Sequence, residues 1–133
     1  MKLSTRGRYG LMAMYHLAEN YGEGPLSVNY IAEAEDLSVA YLEQLFSRLK
    51  TRKLVKSIRG AQGGYVLARP PEEIAIGDVI SALEGEMSFS CCSAEDEISC
   101  ERGEACSAKS ILDRIQAQVD SVLDSMTLAD MRQ

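Results

Sequence analysis

At 133 residues and 46% hydrophobic composition, the chain is sized for one globular domain with at most an appended element. No apolar run is long enough to cross a bilayer, and the Met1–Arg8 stretch leads into an amphipathic pattern rather than an apolar core with a cleavage site. No signal peptide, no membrane partner and a cytoplasmic location are therefore expected. In that reducing compartment, four cysteines favour metal or redox chemistry over a structural disulfide.

The net charge of −6 argues against a nucleic-acid partner until its distribution is followed. Residues 48–59 carry Arg48, Lys50, Arg52, Lys53, Lys56 and Arg59 with no acidic residue, whereas residues 72–106 carry ten acidic side chains against Arg102 alone. The first region is suited to phosphate; the second would be repelled by it. Charge alone does not decide between these uses and two solvated surfaces, so the order of elements has to.

The pattern predicts a helix over 5–20, with Thr5 as its cap and Tyr9, Leu11, Met12, Tyr15 and Ala18 as an apolar stripe. Residues 21–25 are a breaker cluster. Ser27 caps a short second helix to about Ala34, residues 35–37 turn, and Ser38 caps a third helix over roughly 39–52. Two short helices joined by a three-residue turn form a helix-turn-helix pattern. Tyr41, Leu42, Leu45, Phe46 and Leu49 supply the core side of the third helix, and Ala40, Glu43, Gln44 and Ser47 fall on the other. Short polar groups and an amide suit base edges, and the cations that follow suit phosphates.

Residues 54–59 then read as a strand, 60–64 as a glycine-rich turn, and Tyr65–Leu67 as the returning strand, closed by Pro70-Pro71. A basic hairpin directly after the third helix is the wing of a winged helix. Its glycines admit close approach of the backbone to a phosphate or the minor groove, and Arg59 stands at the base of the turn. A short helix follows over 74–83, and a longer one over 107–124 with Ile111, Ile115, Val119, Val122 and Leu123 on one stripe. A second copy of the chain is the simplest cover for that stripe; folding back on its own domain is the alternative.

All four cysteines lie between these last two helices. Cys92 and Cys100 are separated by seven residues, Cys100 and Cys106 by five, and Cys91 adjoins Cys92. This is no CxxC ribbon, which disfavours a zinc knuckle. Thiolates on a polar loop are able to wrap an iron–sulfur cluster. The loop acids (Glu95, Asp96, Glu97, Glu101, Glu104) offer no cation to lower a thiol pKa, which counts against a simple thiol switch. An enzyme using Cys91-Cys92 finds no support in a CxxC, a nucleotide loop or a His/Asp pair, because the only histidine is His16 on the first helix. No enzymatic activity is expected.

The residues Leu3–Tyr9, Tyr41–Phe46, Ile58–Gly60 and Gly63–Tyr65, with the closing Met126–Asp130, resemble, in order and across nearly the whole chain, the IscR-type iron–sulfur cluster regulators, a winged-helix family that also includes nitric-oxide-sensing and cysteine-metabolism repressors. The resemblance implies a mainly α fold with a small β-hairpin wing and a long C-terminal dimerisation helix. It divides the chain into a winged-helix domain (1–84), a cluster-binding loop (85–106) and a dimerisation helix with its tail (107–133). It implies a homodimer on a double-stranded DNA operator. Gln44 and Glu43 would lie on the reading face, with Ser38, Ala40, Tyr41 and Arg48 beside them. Arg59, Gly60, Gln62 and Lys56 would serve the wing, and Ser4, Thr5 and Arg6 the DNA backbone.

A 2Fe-2S cluster on Cys92, Cys100 and Cys106 is implied, with cluster-assembly proteins as its donors and cluster-assembly genes as the repressed targets. The chain departs from the pattern at the fourth ligand. The IscR pattern has a histidine where this chain has Lys109, and the nitric-oxide-sensing branch has a carboxylate where it has Arg8. Glu104, Cys91 and His16 remain as fourth-ligand candidates. A cluster-free repressor controlled by a partner protein or metabolite, as in cysteine metabolism, and a nitric-oxide or redox sensor are the alternative functions.

Overall fold

The computed structural model describes residues 3–85 and 107–132. In chain order these form α1 (Thr5–Glu19), α2 (Val28–Glu35), α3 (Val39–Thr51), β1 (Val55–Ile58), β2 (Gly64–Leu67), α4 (Ile76–Glu84) and α5 (Lys109–Ser125). Short 3-10 turns occur at Pro71–Glu73 and Leu128–Met131. The expected mainly α architecture with a small hairpin is what the chain forms.

The helix starts at α2 and α3 follow from single side chains. The Ser27 hydroxyl oxygen accepts the N–H of Tyr30 at 3.2 Å, and that of Ser38 accepts the N–H of Tyr41 at 3.1 Å. Each satisfies a donor that the first helical turn leaves without a partner. Helix α2 ends on Asp36 in the left-handed conformation (φ 54°), and the turn to α3 is complete by Ser38.

The first helix departs from its expected form. Thr5 is its first helical residue and not its cap; the cap position belongs to Ser4, whose side chain accepts nothing from the helix. Of the stripe Tyr9, Leu11, Met12, Tyr15 and Ala18, only Ala18 is buried; the core face is instead Gly7, Gly10, Ala13, Met14, Leu17 and Ala18. Small residues occupy that face because α4 packs close against it. A Cβ on Gly10 would stand 2.0 Å from Leu83 Cδ1. Periodicity weighted by side-chain size therefore selected the flank of the helix and missed its contact face.

The core is one cluster, with Phe46, Met14, Ile31, Leu42, Leu45, Leu49, Leu54, Ile74, Leu83 and Leu128 fully enclosed. Strands β1 and β2 pair antiparallel from Val55↔Leu67 to Ile58↔Gly64. The base of the hairpin and the Tyr65 ring of β2 lie on the core. Val55 and Leu67 are buried, while Lys56, Ser57 and Ile58 are exposed. The wing reaches into solvent.

Ile74 and Ala75, expected as helix, are extended. They pair with the end of the chain: Ile76 N–H donates to Met126 O at 2.8 Å, and Leu128 N–H donates to Ile74 O at 3.0 Å. This pairing carries Leu128 into the core and anchors the C-terminal end of α5. Leu123 packs there over Gly77. The rest of α5 has little cover. None of its residues is buried, and Ile111 and Val122 are 52% and 53% exposed.

Candidate nucleic-acid interface

Helix α3 buries Leu42, Leu45, Phe46 and Leu49 and leaves Ala40, Glu43, Gln44, Ser47 and Arg48 exposed. At 3.6 residues per turn, Ala40, Glu43, Gln44 and Ser47 share one outward face. Tyr41 is half-buried and meets Tyr9 edge-on, ring centroids 6.1 Å apart, so it joins α3 to α1 more than it faces solvent. Ser38 spends its hydroxyl oxygen on the cap.

The wing stands beside this face. Val39, Glu43, Ile58, Arg59, Gly60 and Tyr65 line one cleft together with the start of α2. Arg59, Gly60 and Gln62 are exposed, and the tip closes through Gly63 N–H donating to Gly60 O at 3.0 Å. The glycines of the tip differ in what they require, and a Cβ on Gly63 would lie 2.2 Å from Ile58 O. Gly60 has φ +120°, and Gly64 has φ +156° with no room for a Cβ, which would lie 2.1 Å from Leu26 O.

At the base of the hairpin Lys50, Lys53, Lys56 and Arg69 line one recess with Val55, Ser57 and Ala68 and no acidic residue. Lys50 Nζ donates to Ser57 Oγ at 2.9 Å, which holds one of these cations against β1. Three cations of the acid-free run, Lys50, Lys53 and Lys56, thus gather with Arg69 on one cationic edge.

Two residues that the sequence reading passed over shape this surface. The Tyr65 hydroxyl donates to Glu43 Oε2 at 3.1 Å, and its ring stacks on Phe46 at 4.4 Å and 9°. Burial, then the Glu43 charge and hydrogen bond, push the Tyr65 hydroxyl above its ordinary pKa, so it remains a donor. Glu43 is therefore not a solitary surface acid. At the other edge of the domain, Glu84 Oε1 accepts the N–H groups of Ser4 (3.1 Å) and Gly7 (3.0 Å) and the Ser4 hydroxyl. These bonds, the Ser4 hydroxyl first, hold the Glu84 carboxyl below its usual range. Ser4 is thereby engaged at the start of α1, while Thr5 and Arg6 are exposed. The signal for Tyr65 was an aromatic residue on the inward side of a strand next to a glycine pair. For Glu84 no sequence signal existed, because its partners are about eighty residues away.

Cys91, Cys92, Cys100, Glu104 and Cys106 lie outside the described residues. Among the described residues no group of three His, Cys, Asp or Glu side chains is placed to hold a metal ion. His16 is half-buried between α1 and α2, its Nε2 2.7 Å from Glu35 Oε1. Arg8 lies over the Tyr9 ring, 5.5 Å from its centroid. No helix among the described residues is long and apolar enough to cross a membrane.

A helix-turn-helix with a basic wing is the frame of a DNA-binding regulator, and residues 3–133 match the family model described as Rrf2, iron-dependent transcriptional regulator. The chain belongs to the Rrf2 family. Among Rrf2 relatives it is 47% identical to the HTH-type transcriptional regulator CymR of Bacillus subtilis (strain 168), over 98% of this chain and 89% of that one. It is 36% identical to the HTH-type transcriptional regulator IscR of Sodalis glossinidius, over 98% of this chain and 78% of that one. Solved Rrf2 structures agree in fold. CymR, the global cysteine regulator of B. subtilis, superposes with TM-score 0.79 at 47% identity, covering 98% of this chain and 95% of that one. T. potens IscR superposes with TM-score 0.77 at 46% identity, covering 98% and 85%. The expected family and fold are thus established, and the chain is an Rrf2-type transcriptional regulator.

Proposed function

We propose that this regulator is a dimeric repressor that reads a near-palindromic operator with α3 and the wing, and that its cysteine segment holds a 2Fe-2S cluster that sets its affinity. The observation that carries the DNA-reading part is the cleft in which Glu43 of α3 and Arg59 of the wing stand together, beside the cationic edge of Lys50, Lys53 and Lys56. Residues 1–84 act as the DNA-binding domain, 85–106 as the sensing segment, and 107–133 as the dimerisation element. The exposed Ile111 and Val122 of α5 support the last assignment, because an apolar helix face of that length needs cover.

The cluster rests on donor chemistry. Cys92, Cys100 and Cys106 offer three thiolates, the ligands and charge balance that ferric iron prefers. A bound cluster supplies a redox-active centre whose loss changes the charge of the segment. Cluster-assembly proteins serve as its donors and cluster-assembly genes as the targets. At the positions where related regulators supply a fourth ligand, this chain has cationic side chains: Lys109 at the start of α5, and Arg8 lying over Tyr9. The fourth donor is then Glu104, Cys91 or His16.

The 47% identity to CymR favours a second reading, a cluster-free repressor of cysteine metabolism under the control of a partner protein or metabolite. One experiment separates the two. The protein is purified without oxygen, its visible absorbance, iron and acid-labile sulfide are measured, and operator binding is compared before and after removal of iron. A coloured protein with about two irons per chain and a changed affinity after removal supports the cluster. A colourless protein that binds DNA unchanged supports the cysteine-metabolism reading.

A further inference from the structure

We infer that Tyr65 is a specificity-determining positioning residue that acts on DNA recognition through Glu43. The inference rests on α3 being the reading helix. Glu43 is exposed there, and a free glutamate side chain samples several rotamers. Here one carboxylate oxygen, Oε2, is taken by the Tyr65 hydroxyl at 3.1 Å, which leaves Oε1 as the acceptor for an amino group such as cytosine N4.

The hydroxyl is itself fixed by the core. The Tyr65 ring stacks on Phe46, which is fully buried, and the Tyr65 backbone pairs with Leu26 in both directions at 2.9 and 3.0 Å. Its neighbour Gly64 leaves no room for the strand to shift, since even a Cβ would strike Leu26 O. The position of an acceptor on the reading face is therefore set by packing between the wing and α3, and not by the free rotation of a surface side chain. A fixed acceptor selects among bases, whereas a mobile one turns away from a mismatched base at little cost.

The test uses the full chain and a DNA library randomised across one half-site, with binding preferences read by sequencing for wild type, Tyr65→Phe, Glu43→Ala and the double variant. Tyr65→Phe keeps the ring and its stack, so its melting temperature reports that the fold is retained. Tyr65→Phe is expected to relax preference at the same base positions as Glu43→Ala, by about three- to tenfold in relative affinity, as one exposed hydrogen bond to a charged group allows. Added to Glu43→Ala, it is expected to change nothing more. An unchanged profile for Tyr65→Phe overturns the inference, and so does an equal change from Tyr65→Phe when Glu43 is already alanine. An unchanged profile for Glu43→Ala overturns it while leaving operator binding intact. A wild-type chain that selects no sequence overturns the reading-helix assignment as well.

Discussion

Glu84, the last residue of α4, caps the first turn of α1 by accepting the backbone N–H of Ser4 at 3.1 Å. The same oxygen takes the N–H of Gly7 at 3.0 Å and the Ser4 hydroxyl, so a carboxylate remote in sequence replaces the local cap that Thr5 was expected to give. A negative charge at a helix N-terminus is favoured by the macrodipole. The contact also fastens the start of α1 to the residue that precedes Gly85 and the cysteine-bearing segment.

Removing this cap should cost about 1 kcal/mol of stability in Glu84→Ala, the usual loss on deleting an N-cap. The pH dependence follows from the lowered Glu84 pKa. A carboxyl whose folded pKa lies below its unfolded value of about 4.3 contributes fully above that value and loses the contribution as pH falls through the folded one. Urea melts from pH 7 to pH 3 should therefore show the wild type losing an increment below about pH 4.3 that Glu84→Gln never had. Parallel curves for the two proteins would refute a titrating cap.

Cations and reading residues should separate on DNA. Gln44→Ala should cost about 1–3 kcal/mol on the cognate site and blur preference at particular bases. Lys56, exposed on the cationic edge, should behave otherwise. Lys56→Ala should weaken all DNA alike and reduce the slope of log affinity against log salt by about one. Arg59, on the cleft wall at the wing, should matter most where the minor groove is narrow. Equal losses for all three on cognate and random DNA would remove the division of labour.

Much of this surface was legible from residue order alone. Ser27 and Ser38 announced their helix starts because a serine hydroxyl serves donors only three residues away. The outward face of α3 was legible because helical period fixes which side chains share a side. Local signals failed where the partner was distant. Nothing local marks Gly7 and Gly10 as a contact face, because Leu83 and Glu84, which pack against them, lie more than seventy residues away. Tyr65 read as an ordinary strand residue, since nothing in its neighbourhood names Phe46 or Glu43.

Gly64 should tolerate no side chain. A methyl group would meet Leu26 O at 2.1 Å and would require an unfavourable φ of +156°. Gly64→Ala should destabilise the chain by roughly 1–3 kcal/mol and loosen the wing, whereas Gly60→Ala at the open tip carries only the backbone cost of its φ. Thermal melts of the two variants check the order, which reverses if the wing relaxes freely.

A charge on the exposed face of α5 should separate the dimer. Ile111→Asp combined with Val122→Asp places two carboxylates where the apolar face needs a partner. Sedimentation should then report a monomer, and operator affinity should fall by about a hundredfold as the two half-sites become independent. Because Leu123 and Leu128 still anchor the end of α5, the domain should keep its helical spectrum. A variant that stays dimeric would move the interface elsewhere.

Cys92, Cys100 and Cys106 should each be required for a visible 2Fe-2S chromophore, because a thiolate is both a strong donor and charge balance for ferric iron. Cys91 should be less important. Adjacent thiolates on one chain bind a single iron only with strain, so Cys91 would serve the second iron if it serves at all. His16 starts at a disadvantage, since ligation through Nε2 would displace the Glu35 carboxylate that holds it at 2.7 Å. Glu104 would offer a hard oxygen donor, which would make its site the more exchangeable one. Alanine variants purified without oxygen decide among them. Loss of colour is expected for Cys92→Ala, Cys100→Ala and Cys106→Ala. A shifted spectrum or faster bleaching in air is expected for Glu104→Ala, and a near-native spectrum for His16→Ala. If Cys91→Ala bleaches the protein as fully as Cys92→Ala, the oxygen ligand is wrong and the fourth donor is sulfur. If none of the three main cysteines is needed for colour, the cluster fails and the partner-controlled repressor takes its place.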